Sequence, residues 1–563
     1  MSGIPRSRKL WITPLSPVHM GTDEDYTPAG YVIEGNALYE FDERALEGLP
    51  EAQRADLRKL LGGKPSDAML KQVQAFFYKN REWLIPGAVN VVQVSEEVAK
   101  LYAARIGKAA NVESGGREVQ NKLEIERAAY NSVDRRLFFP GTGLKGAMRT
   151  ALLDCENDGN PLPQKYRDPK ARDGSGIARG ANNKLQKDLF KGSFETDPMR
   201  LVQVGDCAWC GPENLNSAEI LFAVNRKKHP VEDEHGKPRP AQDENLSQLF
   251  ECAAPFRFRA FQGLLTVSDV GAAGERNHKL PHLRFGFAEI AAACNRFYRP
   301  IFEKETELLK KHGFLDTQWR ETVERLLDDS AVKERLARNQ AFLLRVGRHS
   351  GAESVTLNGV RTIRVMRGKK EKPVWEPEAK TLWLATGSHQ DKRYLRPFGW
   401  LLVEMTEPDE NPPTWPEAEA LLEQYTEASS RWLEKVHACQ AELTEKQRNA
   451  REQAELRARE EAEARRRQAE EERRKAAMSP EERQIEALRA LFEKEKAQGR
   501  LAPQGPVSEQ RLKLLKAALE WEDPQARCQA GRLLEMIARE LNWPKKRRDE
   551  AKSQVRRLLE KCS

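Results

Sequence analysis

The stretch RRLFFPGTGLKGAMRTALLD, Arg135–Asp154, carries the strongest local signal in the chain. A short apolar strand, Leu137–Phe139, stops at Pro140. A turn with Gly141, Gly143 and Gly146 follows, and a helix then bears Leu144, Met148, Leu152 and Leu153. Glycine lets a backbone approach a ligand closely, and the first N–H groups of a helix are unpaired donors suited to an anion. Lys145 and Arg149 stand one turn apart on one face of that helix start. Two readings fit: a phosphate-binding turn formed by Gly141, Thr142, Gly143, Lys145, Gly146 and Arg149, or a tight strand–helix joint with two solvated cations. Gly141–Gly146 also spells G-x-G-x-x-G, but a dinucleotide fold needs an acidic residue ending a second strand about 20 residues on. The chain has the loop CENDGNPLP there. A Walker A loop fails as well, because Lys145 precedes its glycine. A dinucleotide-dependent enzyme is the weakest class this loop admits.

Two other elements rhyme with it. ITPLSPVHMGT (Ile12–Thr22) sets His19 and Gly21 just after a strand, and FLLRVGRHSGAESVTL (Phe342–Leu357) groups Arg345, Arg348, His349 and Ser350 around Gly347 and Gly351. PFGW (Pro397–Trp400) opens a last strand. Alternating β-branched and aromatic residues predict strands at Leu10–Leu15, Tyr31–Ile33, Leu201–Val204, Glu219–Val224, Phe256–Val267, Phe342–Val346, Thr362–Met366, Thr381–Ala385 and Gly399–Met405. Helices are predicted over Glu51–Leu61 and Ala68–Phe77. Three polar segments, Lys108–Lys122, Asp158–Asn183 and Arg226–Asn245, are too poor in apolar surface to order themselves, so functional or disordered loops are expected there.

Beyond Thr406 the character changes. A proline-marked joint (Pro408, Pro412, Pro413, Pro416) precedes a helix with Leu421, Leu422, Tyr425 and Trp432, which runs into a tract of Ala, Glu, Arg, Gln and Lys. That tract has no sustained apolar seam, so a solvated single helix held by Glu–Arg pairs is expected rather than a coiled coil. It reads as a semi-rigid spacer, and cutting the chain after Pro416 is expected to leave the preceding body folded. Ser479-Pro480-Glu481-Glu482 is a capping box with proline at the first helical position. Stripes at Ile485, Leu488, Leu491 and Phe492, at Leu512, Leu515 and Leu519, and at Leu533, Ile537 and Leu541 predict a small helical bundle with a fourth helix after Pro544. Lys545-Lys546-Arg547-Arg548 open that last helix, where cations oppose the helix dipole.

The chain's 563 residues exceed a single typical domain. Charged residues make up 32%, hydrophobic residues 39%, and mean hydropathy is -0.72. No run approaches the roughly 18 apolar residues of a membrane helix, and the basic start leads to no cleavage site, so a cytoplasmic protein is expected. Eight cysteines in no regular framework point to a reducing compartment rather than a disulfide scaffold. The net charge of +8 is compatible with a polyanionic partner without requiring one.

The set TPLSPVHMGT, PGTGLKGAMRT, DPMRLVQVGD, FLLRVGRHSG, TLWLATG and PFGW, in this order, resembles the RAMP superfamily of CRISPR proteins. Within that superfamily it is similar to the subunit family that caps the guide-RNA filament at its 3′ end in type III-A (Csm) effector complexes. The resemblance spans roughly residues 8–405 and does not reach the tail. It implies an α+β fold of two RRM-like, ferredoxin-like units with long insertions, about 1–205 and 206–405; the composition and helical periodicity beyond them predict an all-α charged stalk (406–478) and a helical bundle (479–563). It also implies a non-catalytic, RNA-binding assembly role without a cofactor, with guide RNA, other Csm-type subunits (above all the RAMP backbone subunit) and recruited cellular nucleases as partners. Sequence-independent RNA binding uses phosphate and 2′-hydroxyl contacts, so His19, Gly21, Gly141, Thr142, Gly143, Lys145, Gly146, Arg149, Arg345, Gly347, Arg348 and Ser350 are the expected RNA-binding residues.

Other constellations carry less. Cys207 and Cys210 form half a zinc site, and completion would need distant ligands such as Cys252, Cys294 or His229. Asp23-Glu24-Asp25 reads as a polar turn. Some RAMP proteins cut repeat RNA with a histidine, which leaves His19 as the general acid–base of an alternative, endoribonuclease reading; no partner for it is evident in the sequence.

Overall fold

The strand Pro5–Pro14 is central because both its edges are used. It pairs antiparallel with Phe261–Ser268 on one side and with Trp400–Thr406 on the other. Leu10 and Ile12 are fully buried while Lys9 and Trp11 alternate with them, the period of a strand with one face in a core. The computed structural model describes residues 5–106, 111–112, 118–119, 124–229, 231–232, 238–239, 247–269, 280–366, 372–560 and 562. In it the chain runs from Pro5–Pro14 to helix Gly141–Asn157, to Val202–Val204 and Cys207–Trp209, to Phe261–Ser268, to helix Phe287–Lys311, and ends this sheet with Ala341–Arg345 and Trp400–Thr406. In space these strands lie fourth, first, third, second, with antiparallel neighbours throughout. This is the βαββαβ order of a ferredoxin-like unit. Leu144, Met148 and Leu152 of one helix and Ile290, Cys294 and Phe297 of the other enter the core with Leu10, Ile12 and Leu402.

A second, mixed sheet has nine strands. Its main path runs Gly21–Tyr26, Ile125–Ala128, Ser247–Ala253, Ala218–Lys227, Ala88–Val94, Ala37–Phe41, Tyr31–Glu34, with Thr381–Thr386 also on Ala218–Lys227. Every one of these strands is inserted between strands of the first sheet. The fold class is α+β as expected, but the expected halves at 1–205 and 206–405 do not describe it. The ferredoxin-like unit needs residues from 5 to 406, so the two sheets are interleaved rather than consecutive.

Asp158–Asn183, expected to lack order, is structured. Tyr166, Ala181 and Leu185 form a small cluster with Leu162, Ile177 and Val360, and Arg167 bridges to Ile177. The apolar residues are few, but they converge. The other two polar segments, 108–122 and 226–245, lie mostly outside the described residues.

The boundary with the tail also moves. The chain divides into Met1–Gln447 and Arg448–Ser563, so the long helix Pro416–Ala477 does not begin as a free stalk. Leu422 joins the main core, and Trp432, Leu433 and Val436 pack with Val32, Tyr39 and Leu84. Ser429 caps the Asn216 N–H at 2.9 Å, and Gln447 donates to the Trp83 carbonyl at 2.9 Å. From residue 451 to 477 the helix is exposed on every face, as its composition predicts. The second unit has its own core, built from Leu488, Phe492, Leu515, Leu534, Ile537 and Val555. Its first helix starts at the expected capping box, Ser479 Oγ accepting from Glu482 N–H at 3.1 Å and Glu482 from Ser479 N–H at 2.9 Å. Cys528 and Cys562 are joined as a disulfide, a pairing the cysteine spacing did not suggest; the other six cysteines are free. No helix among the described residues is long and apolar enough to cross a membrane.

The cut that preserves the body therefore falls after Gln447. A chain ending at residue 447 should unfold cooperatively, whereas one ending at 415 uncovers Val32, Tyr39 and Leu84 and should aggregate or melt lower. Trp432→Ala in the full chain should cost about 3–5 kcal/mol by denaturant unfolding.

Candidate nucleic-acid interface

The motifs that lie far apart in the sequence meet where the first strand leaves its sheet. Residues 15–20 cross from one sheet to the other, and main-chain hydrogen bonds from four segments hold them. Leu15 N–H donates to the Trp400 carbonyl (2.9 Å), Gly399 N–H to Pro17 (2.9 Å), Arg348 N–H to His19 (2.9 Å) and Ala129 N–H to Met20 (2.7 Å). Val18 bridges to Ala253. The Met20 side chain is seated against Gly143, where a Cβ would come within 2.3 Å of its methyl carbon. Gly347 has φ +83, and a Cβ there would lie 2.3 Å from the His19 carbonyl oxygen. Gly141 faces strand Val202–Val204, where a Cβ would fall 2.1 Å from the Val204 carbonyl. These glycines serve chain-to-chain approach, which also removes the pyrophosphate explanation of the G-x-G-x-x-G spelling.

The expected RNA contacts divide sharply by exposure. Thr142 and Gly146 are exposed on the first turns of the glycine-rich helix. Lys145 is half-buried, its pKa lowered by burial, and it makes no hydrogen bond or ion pair with the described residues. The Arg348 side chain is 47% exposed, pairs with Glu126 and stands over the Phe250 ring. Arg149 and Arg345 are placed otherwise than expected. Arg149 is clasped by Asp197 at 2.8 Å and lies over Phe190, fastening the helix to the segment before strand Val202–Val204. Arg345 is 3% exposed, donates to Glu305 (2.7 Å) and the Phe398 carbonyl (3.0 Å), and lies over Trp400. Glu305 also accepts from Trp400 Nε1 at 3.0 Å. Such a buried guanidinium holds the fold and cannot reach a phosphate. Ser350 is buried as well. The Gly141 N–H, expected to face an anion, donates to Asp206 at 2.7 Å.

His19 is completely buried. Its Nδ1 bonds to the Glu251 carbonyl at 2.7 Å, its ring edge meets Phe250, and its Nε2 has no partner. Burial pulls its pKa down to about 4, and His349, stacked on Trp383, is lowered to about 4 for the same reason. Both rings are neutral at physiological pH. Beneath them Glu251, fully buried, is pushed up to about 7 although Tyr26 donates to it at 2.7 Å and Ala128 N–H at 3.0 Å. Beside this junction opens a cavity of about 540 Å³ that sequence reasoning missed. Asp23, Asp25, Glu124 and Glu126 line it opposite Arg105, Arg127 and Arg348. Asp23-Glu24-Asp25 lies on an edge strand that is exposed up to buried Tyr26 and whose polar run gave no periodic signal.

Cys207 and Cys210 do not act together. Cys207 Sγ contacts the Gly205 carbonyl and Cys210 Sγ that of Arg259, and burial raises both thiols, to about 12 and about 11. Among the described residues no group of three or more His, Cys, Asp or Glu could hold a metal ion.

Two measurements test this geometry. Gly141→Ala and Gly347→Ala should each destabilise by at least about 1–3 kcal/mol, while Gly146→Ala, with open space around it, should stabilise by about 0.5–1 kcal/mol. Unfolding frees both imidazoles to take up protons between pH about 4 and their ordinary 6.5, so their contribution to stability falls as pH drops through that window. Glu251 acts oppositely between 4.5 and about 7. His349→Asn should therefore lower proton uptake on unfolding near pH 5 by about one proton, read from melting curves across pH.

The sequence model of the RAMP superfamily matches residues 11–330. No curated protein matches the chain. Among solved structures, the crystal structure of T. onnurineus Csm5 is similar at 18% identity and a TM-score of 0.40, covering 70% of this chain and 99% of that one. The cryo-EM structure of a Csm–crRNA–target RNA ternary complex from a type III-A CRISPR–Cas system is similar at 16% identity and a TM-score of 0.35, covering 72% and 100%.

Proposed function

The chain belongs to the RAMP superfamily, and from that premise we propose that it is a non-catalytic, guide-RNA-binding assembly subunit of a type III-A (Csm) CRISPR complex. In this reading it works in the cytoplasm, caps the filament at the guide's 3′ end, contacts the RAMP backbone subunit and other Csm-type subunits, and assists maturation by nucleases recruited from the cell. The order of its glycine-rich motifs along the chain supports the choice of subunit.

One observation carries the RNA-binding part of the proposal. At the junction of the motifs Gly21, Thr142, Gly146 and Arg348 are exposed and Lys145 is half-buried, whereas His19 is buried, His349 half-buried, and both imidazoles are neutral. Exposed cations and a helix turn suit phosphate and 2′-hydroxyl contacts that ignore sequence. A general acid–base must come within hydrogen-bond reach of the reacting group; His19 borders the cavity but exposes none of its own surface, which weighs against the endoribonuclease reading.

Lys145→Ala/Arg348→Ala should weaken binding of unrelated single-stranded RNAs to a similar extent and lower the salt slope by about one to two. Arg345→Ala should instead cost about 3–5 kcal/mol of stability by breaking a buried pair. Unchanged affinity and slope in the double variant would remove this surface from the RNA site. Cutting of repeat RNA that disappears in His19→Ala would favour the nuclease.

A further inference from the structure

The C-terminal unit distributes its charge unevenly. From residue 479 to 540, eleven Lys and Arg balance eleven Asp and Glu; from 541 to 563, eight face three. Four of those eight are consecutive. Lys545, Lys546, Arg547 and Arg548 are all exposed, and their side chains make no hydrogen bond or ion pair with the described residues. Other exposed cations of the unit do pair, Arg489 with Glu486, Lys496 with Glu540 and Arg539 with Glu535. The run occupies the turn Lys545–Arg547 and the first residue of helix Arg548–Leu559, where the positive end of that helix adds to its potential and exposed Asp549 and Glu550 of the first turn subtract from it.

The turn is held firmly. Arg511, fully buried in helix Pro506–Glu520, donates to the carbonyls of Leu541 (2.5 Å) and Asn542 (2.7 Å), and its guanidinium lies 4.2 Å over Trp543. No carboxylate among the described residues pairs with it, so its charge reinforces that of the turn it fixes. At the far end of the last helix, the close approach of Leu559 to Gly531 anchors it. A cation cluster on a fixed turn loses little entropy when an anion binds.

The kind of anion follows from what the patch lacks. Within residues 479–563 the one large apolar side chain exposed among the described residues is Met536, and Trp543 is buried. Protein interfaces bring an apolar centre inside a polar rim, and base-stacking sites bring exposed aromatics. A bare row of cations suits a phosphodiester backbone and counterion release. We propose that Lys545, Lys546, Arg547 and Arg548 form a second, sequence-independent RNA-backbone site, carried by the C-terminal unit and distinct from the surface around Lys145.

The test uses the full chain and a labelled 40-nucleotide oligouridylate, with Kd measured across a salt series. Lys545→Ala/Lys546→Ala/Arg547→Ala/Arg548→Ala should weaken binding about tenfold or more and lower the salt slope by about two to three, with an unchanged melting temperature. Its effect should multiply with that of Lys145→Ala/Arg348→Ala. Exchanging the four residues Lys for Arg and Arg for Lys should retain affinity. Unchanged affinity and slope in the four-alanine variant would overturn the site. Polyglutamate displacing the RNA as well as unlabelled oligouridylate does, at equal charge, would overturn it in favour of an acidic protein ligand. A loss in the four-alanine variant alone, with Lys145→Ala/Arg348→Ala silent, would leave this site standing while the proposed body site fails.

Discussion

Six residues, 15–20, bind the body together. They carry the chain from the ferredoxin-like sheet to the mixed sheet, and their carbonyls and N–H groups are satisfied by segments near residues 129, 253, 348 and 399–400. Buried main-chain groups must find partners, so each segment has to bring its backbone to within about 3 Å of this crossing. Side chains stand in the way of such an approach. That is why Gly347 adopts a left-handed conformation against the His19 carbonyl and why Gly143 leaves room for Met20. The glycine-rich motifs are thus first a joint between two sheets, and the surface left outside that joint is what a ligand can meet.

The same economy governs the cations. Arg345 is consumed by Glu305 and the Phe398 carbonyl, Arg149 by Asp197, and Arg127 by a bidentate pair with Glu40 at 2.7 and 2.8 Å. Each ties together elements distant in sequence and leaves the protein's basic character to fewer residues than the composition suggests. The charge of +8 is therefore a poor guide to where an anion binds in the body, while the tail keeps the run Lys545–Arg548 on the surface.

What was legible in the sequence was local. The strand–turn–helix around Gly141 and the capping box at Ser479 were readable because their determinants sit within a few residues. Most strands with apolar alternation, such as Ala341–Arg345 and Trp400–Thr406, were found within a residue or two. The strand Gly21–Tyr26 was missed because GTDEDY has no period and a single core residue, Tyr26, at its end; pairing with Ile125–Ala128 makes the rest of it a strand. The fates of Arg149 and Arg345 were hidden because Asp197 and Glu305 lie 48 and 40 positions away. Trp432 was visible as an apolar residue on a helix, but nothing local reveals that Val32 and Tyr39 await it.

The interleaving of the two sheets has a consequence for how the protein comes into being. The strand Pro5–Pro14 leaves the ribosome several hundred residues ahead of its partner, so one of its edges stays open until Trp400–Thr406 has been made, and residues 416–447 must follow to cover Trp432's neighbours. At the usual pace of synthesis that delay is on the order of tens of seconds. Throughout it, a strand with unpaired edge groups and an apolar face stands without its native neighbour, the condition that invites misassembly. Closing loops of several hundred residues is also slow. The body is thus expected to depend on chaperones during synthesis, and fragments that end before residue 406 have no route to its first sheet.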